Sequence, residues 1–186
     1  MDADAVARSL AERSWCILPE FFDARLVAAL AEECRAYDEA SGLAPASTGR
    51  GAGKRRAGLR GDRTRWFDPG CPTAPQADFF SRMDEVRVAL NRRLLLGLED
   101  LEAHYALYPP GTGYVRHLDR FRDDDARVVS TVTYLNDAWR EEDGGALRLH
   151  LPQGGTLILF LSAEVEHEVL PAARERMSIA GWFRRR

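Results

Sequence analysis

Apolar residues recur at helical spacing twice near the start of the chain, over Ala5 to Arg13 and over Ala24 to Tyr37. The second stretch runs through Leu26, Val27, Leu30, Cys34 and Tyr37, with Asp23 placed to cap it. A third helix is predicted over Gln76 to Leu96, with Phe79, Phe80, Met83, Val86, Val88, Leu90 and Leu94 to Leu96 as its apolar material. Between these helices, Ser41 to Arg65 is rich in Gly, Arg and Ala and reads as a long mobile loop of the kind used as a lid. Beyond residue 100 the pattern changes to short strands. Candidates are Glu102 to Tyr108, Gly113 to His117, Arg127 to Asn136, Ala146 to Leu151, Thr156 to Leu161, Val165 to Leu170 and Arg176 to Phe183. Asp143-Gly144-Gly145 and Gln153-Gly154-Gly155 are turn signals between them. Helices followed by strands at roughly ten-residue spacing predict an α+β chain. The expected architecture is a β-sandwich or a jelly roll (double-stranded β-helix) over about 99–186. Helical support over about 1–98 would brace it, making 1–186 a single domain.

Composition narrows the class. The chain has 186 residues, 45% of them apolar, enough for a core without staples. With 26 Lys+Arg against 29 Asp+Glu the net charge is −3, which argues against binding nucleic acid or membrane by electrostatics. Cys16, Cys34 and Cys71 are odd in number and form no C-x-x-C pair, so a reducing cytoplasm is expected. The acidic Met1-Asp2-Ala3-Asp4 start is unlike a signal peptide, and no uncharged apolar run is long enough to span a bilayer. Arg184-Arg185-Arg186 reads as a solvated end.

The candidate chemistry gathers around two of the four histidines. His117-Leu118-Asp119 places an imidazole and a carboxylate at i and i+2, on one face of a strand. A lone H-x-D means little. His167, however, lies 50 residues downstream on another candidate strand, Arg176 follows nine residues later, and Ser178 stands two beyond that. Two histidines and one carboxylate on facing strands make a facial triad for octahedral Fe(II), with positions left for a bidentate 2-oxo acid and dioxygen. A second carboxylate on that acid calls for a cationic fork, which arginine supplies and lysine does not. By period 2, Arg176, Ser178, Ala180 and Trp182 share the cavity face of the last strand. Met177, Ile179 and Phe183 would pack outward against the helices. His104 and His150 have no partners at ligand spacing and read as ordinary strand histidines, and Asp123-Asp124-Asp125 as a solvated turn.

The segment from Tyr108 through Tyr114-Val-Arg-His117-Leu-Asp119 resembles the strand leading into the H-x-D of the hypoxia-sensing prolyl hydroxylases. These enzymes are 2-oxoglutarate- and Fe(II)-dependent dioxygenases. The likeness continues through Arg127 to Asn136, Trp139, Gly144-Gly145, Leu147-Arg148, His167-Glu-Val and Arg176 to Trp182. Upstream, Arg60-Gly61-Asp62 and Trp66 resemble a substrate-covering loop between two early strands. Bacterial relatives of the hypoxia enzymes look most similar. The stretch from Leu149 to Thr156 is shorter than in those relatives, so a clipped hairpin is expected there.

The resemblance implies His117, Asp119 and His167 as iron ligands. It implies Arg176 and Tyr134 at the distal carboxylate of 2-oxoglutarate and Tyr108 near its metal-bound end. Ser178 sits where other R-x-S oxygenases use a hydroxyl, and Trp182 would line the cavity. Arg127, Arg60, Asp62 and Trp66 would meet the substrate. Arg116, Arg120 and Arg122 join Arg60, Arg127 and Arg176 in the set expected around the cavity. The implied activity is prolyl 4-hydroxylation of a mobile loop in a protein, with elongation factor Tu as a candidate target and ascorbate in support. The implied state is a cytoplasmic monomer with no nucleic-acid or membrane partner. Two alternatives remain: hydroxylation of free proline or another small molecule, and a non-catalytic iron or 2-oxoglutarate sensor.

Overall fold

A computed structural model describes residues 1–47, 58–120, 125–147 and 150–185. The three expected helices form as α1 (Ala3–Arg13), α2 (Ala24–Glu39) and α3 (Ala74–Leu94). Each begins at a side-chain cap. Asp2 accepts from the Asp4 and Ala5 N–H groups, Asp23 from Leu26, and Thr73 from Gln76. On α3, Phe79, Met83, Val86 and Leu90 recur at three- and four-residue steps, and all are buried.

Among the described residues there are nine strands, in chain order β1 (Trp15–Leu18), β2 (Ala44–Pro45), β3 (Arg63–Trp66), β4 (Asp100–Tyr108), β5 (Tyr114–His117), β6 (Arg127–Tyr134), β7 (Leu157–Leu161), β8 (His167–Val169) and β9 (Arg176–Arg184). Seven make one antiparallel sheet in the order β1-β7-β6-β9-β4-β3-β2, and β5 pairs with β8 in a second, two-stranded sheet. Strands thus come from the first hundred residues too, where periodicity pointed only to helices and a loop. Four-residue β1 and two-residue β2 are too short to show a period, and they gain their place by pairing with β7 and β3. Within the stretch read as a mobile loop, the ends are β2 and part of β3; residues 48–57 lie outside the described residues.

The strand expected at Ala146–Leu151 is replaced by isolated bridges. Leu147 and His150 donate to each other's carbonyls at 3.0 and 3.1 Å, and Leu147 also bridges Val169 of β8. Residues 148 and 149 lie outside the described residues.

The outer face of the large sheet, carrying Met177, Ile179 and Phe183, packs with the helices in one buried cluster that includes Phe79, Met83 and Leu90. The inner face contributes Tyr108, Val132, Tyr134, Ile158 and Phe160 to a second cluster. Glu33 of α2 ties this arrangement together, accepting from Thr73 and Gln76 at 2.5 Å and from the Tyr105 hydroxyl of β4 at 2.9 Å. Two of the three terminal arginines are in ion pairs, while Arg186 lies outside the described residues. Arg184 closes β9 and pairs with Asp100 and Glu102, and Arg185 pairs with Asp125. Asp125 is thereby in an ion pair rather than a merely solvated turn, while Asp123 and Asp124 lie outside the described residues. Among the described residues no helix is long and apolar enough to cross a membrane.

Candidate active site

The two-stranded sheet builds the centre. His117 of β5 and His167 of β8 are direct partners in its register, so both imidazoles leave one rung on one face. Asp119, two residues on, turns its carboxylate between them. Its Oδ1 lies 3.5 Å from His117 Nε2 and its Oδ2 lies 3.6 Å from His167 Nε2. One ligand atom from each of the three residues falls within 4.8 Å of the others, the separation a single metal ion can bridge.

The outward-facing nitrogens are already committed. His117 Nδ1 meets the Val115 carbonyl at 2.8 Å, and His167 Nδ1 meets the Val165 carbonyl at 3.1 Å. A carbonyl can only accept, so in the neutral rings the proton sits on Nδ1 and the Nε2 lone pairs face the centre. Ser130 on β6 donates to Asp119 Oδ2 at 2.7 Å, and its oxygen lies 2.9 Å from the Ser162 hydroxyl. Burial pushes the Asp119 carboxyl up, but His117, His167 and Ser130 outweigh it and hold the group well below the usual carboxylate range. The set is anionic, preoriented and suited to a hard-to-intermediate divalent ion.

From this centre a cavity of about 190 Å³ runs inward to Arg176. Arg176 is 1% exposed, and among the described residues no carboxylate lies within ion-pair distance of it. Its Nε donates to the Gly145 carbonyl at 2.9 Å and Nη1 to the Ser178 hydroxyl at 3.2 Å. A side chain at Gly145, which has φ +70°, would press within 3.3 Å of the arginine and 3.2 Å of Trp139, so glycine keeps the guanidinium in place. Tyr108 and Tyr134 flank it, each with its ring centroid 5.1 Å from the guanidinium carbon. Among the described residues the buried Tyr134 hydroxyl has no partner at hydrogen-bond geometry, and burial raises its pKa to about 12 against the lowering influence of the nearby Arg176. A buried cation with no carboxylate partner among the described residues can take the carboxylate of a small acid.

The mouth gathers the remaining expected residues unequally. Arg60, Trp66, Arg127 and Trp182 line the cavity. Arg127 lies over the Trp182 ring at 3.6 Å while donating to Glu102 at 2.8 Å. Asp62 is not a wall residue. Buried at 3% exposure, it holds Arg60 in a two-point ion pair of 2.7 and 2.5 Å. Tyr134 is not among the lining residues but lies against Arg176, its ring beside the guanidinium. Arg116 and Arg120 turn away from the cavity to Glu166 and Asp125, so charge repulsion of the cluster is relieved by local carboxylates. Arg122 lies outside the described residues.

Sequence reasoning missed several wall residues. Tyr114 stacks on His117 with centroids 3.6 Å apart, and Arg60 lies over its other side. His104, read as an ordinary strand histidine, lines the cavity between Trp66 and Trp182 at 4.6 and 5.6 Å. Burial lowers its pKa to about 4, and its Nδ1 is held by the Tyr105 carbonyl at 2.9 Å. Period 2 carried the signal, since His104, Ala106 and Tyr108 share one face of β4.

The chain is similar to proteins of known family and fold. Residues 103–184 match the family model described as the 2OG-Fe(II) oxygenase superfamily. A crystal structure of a Pseudomonas putida prolyl-4-hydroxylase is 48% identical, with a TM-score of 0.89 and 99% of each chain covered. A Trichoplax adhaerens prolyl hydroxylase, solved with a hypoxia inducible factor peptide fragment, shares the fold. It is 24% identical with a TM-score of 0.83, over 98% of this chain and 88% of that one. Human Egl nine homolog 1 is 29% identical over 90% of this chain and 43% of its own length. This chain therefore spans about half the length of the curated relatives it first matches.

Proposed function

The chain belongs to the 2OG-Fe(II) oxygenase superfamily, and from that premise we propose that it is a protein prolyl 4-hydroxylase. The single observation that carries the reading is the pairing of a His117–Asp119–His167 centre with a buried, carboxylate-free Arg176 at the far end of one cavity. When bound there, Fe(II) and 2-oxoglutarate supply the oxidative decarboxylation of the 2-oxo acid to succinate and carbon dioxide, coupled to insertion of one oxygen atom into a C–H bond.

The chain's own residues do the rest. His117, Asp119 and His167 hold the ion. Arg176, with Ser178, Tyr134 and Tyr108 about it, fixes the dicarboxylate at its far end. The apolar walls at Val132 and Leu147 exclude water from the acid's flank. At the mouth, Arg60, positioned by Asp62, and Arg127, stacked on Trp182, offer cations and aromatic faces to an incoming chain, with Trp66 half exposed beside them. A proline ring is apolar and meets such aromatic surfaces edge or face on.

The reading includes a single domain acting as a monomer in the cytoplasm, with ascorbate as supporting reductant and a mobile loop of another protein, such as elongation factor Tu, as target. Three free cysteines accord with a reducing compartment. The test incubates the protein with Fe(II), 2-oxoglutarate and ascorbate, with cell lysate or purified elongation factor Tu. Succinate formation together with a +16 Da mark on a proline, absent in His117→Ala, is expected. Turnover on free proline alone would replace the protein substrate, and 2-oxoglutarate binding without turnover would make the chain a sensor.

A further inference from the structure

We propose that a second, apolar cavity of about 360 Å³ on the inner face of the β1–β7 edge is the entry route for dioxygen. Its walls are Trp15, Ile17, Ile158, Phe160 and Val165. The rungs Trp15↔Phe160 and Ile17↔Ile158 set four of these side chains side by side along adjacent strands. The outer end is at Trp15, 39% exposed at the surface. The inner end is at Leu147 and His167, and both also line the cavity that holds the His117–Asp119–His167 centre. One partition is therefore shared by the two spaces, and one of its members is a residue assigned to the metal.

The chemistry of the passage suits a small apolar guest. Among the described residues its walls are apolar except for the Trp15 indole N–H, His167 and His150, and burial lowers the His150 pKa. Cavities lined by aliphatic and aromatic groups favour apolar gases over water, because water there forfeits its hydrogen bonds. A peptide or a carboxylic acid would leave its polar groups unpaired in the same place. Dioxygen has no such groups. The main cavity offers a poorer path, since its mouth is lined by Arg60, Arg127 and Trp66 and would be covered by a bound chain. The inference rests on the oxygenase reading of the centre, which makes dioxygen a reactant.

Xenon is the probe, because it is apolar and needs neither iron nor a proline substrate. Crystals of the metal-free protein pressurised with xenon should show it between Ile17, Ile158 and Phe160. Ile17→Phe and, separately, Ile158→Phe should abolish that site. In the iron-loaded protein each should raise several-fold the dioxygen concentration giving half-maximal 2-oxoglutarate consumption. The rate at saturating dioxygen and the 2-oxoglutarate requirement should not change. Ile17 is only half-buried, so its variant tolerates the added volume if the fully buried Ile158 does not. No xenon in the cavity overturns the proposal. So does an unchanged dioxygen dependence in a variant that has lost the xenon site. Both readouts stand apart from the proline assay, so a missing hydroxyproline mark leaves them independent.

Discussion

On one face of β9, Met177, Ile179 and Phe183 are buried among helix side chains; on the other, Arg176, Ser178 and Trp182 face a cavity. A single strand thus serves two interiors. The helix side follows ordinary core rules, apolar groups interdigitating until little volume is left. Among the described residues, the cavity side keeps a buried guanidinium with no carboxylate at ion-pair distance and a tyrosine hydroxyl with no hydrogen-bond partner. Such groups cost stability unless something arrives to satisfy them. The contrast teaches that this sheet is held by one face and used by the other, so damage to the two should separate into different measurements.

The most severe effect should come from the cavity side and leave the fold standing. Asp119→Ala removes the carboxylate bridging the two imidazoles, and both iron binding, followed by titration, and 2-oxoglutarate consumption should be lost. Its denaturant midpoint should stay nearer the parent than that of Phe183→Ala. That second variant opens a void on the helix side and should cost about 3–5 kcal/mol in chemical denaturation. Should Phe183→Ala prove the milder of the two in stability, the division between faces fails.

Arg176→Lys sharpens the comparison within the cavity. The two-pronged donor is lost while the charge stays, so the 2-oxoglutarate requirement should rise about tenfold to a hundredfold, equivalent to roughly 1.5–3 kcal/mol. Iron affinity should change little, because Arg176 touches none of the three ligands in the hydrogen bonds it makes. A parallel loss of iron would contradict the separation of the two ends.

The smallest effect is in pH. Burial depresses the His104 pKa from 6.5 to about 4. Between those values the unfolded chain binds the proton and the folded chain does not, so stability present above pH 6.5 is lost on acidification toward pH 4. The slope contributed is at most about 1.4 kcal/mol per pH unit. Denaturation of His104→Gln across that range should lack this slope; an unchanged profile would remove His104 from the buried wall.

Legibility along the chain followed the length of the pattern. β9 was readable because seven alternating positions, Arg176 to Trp182, assign two faces without ambiguity, and the structure places them so. The H-x-D and the distant histidine were readable as candidates because strand period brings i and i+2 together. That His117 and His167 are partners in one rung was not, since register between strands separated by 50 residues depends on pairing that no local signal encodes. β1 and β3 escaped because four-residue strands are too short to show a period and owe their conformation to the strands they pair with, β7 for β1 and β4 and β2 for β3. Tyr134 and Asp62 were named, but their places off the cavity lining, against Arg176 and Arg60, are a matter of depth that a linear pattern does not carry.

The shared rung of His117 and His167 also bears on how this scaffold can change. Because register in the small sheet fixes the two imidazoles, the chain joining them is free in length so long as it returns β8 to the same rung. Insertions and deletions in the segment between β6 and β7, away from Gly145 and Leu147, would change its outer surface while the centre keeps its dimensions. New recognition surfaces can therefore be tried on this frame without renegotiating the chemistry beneath them.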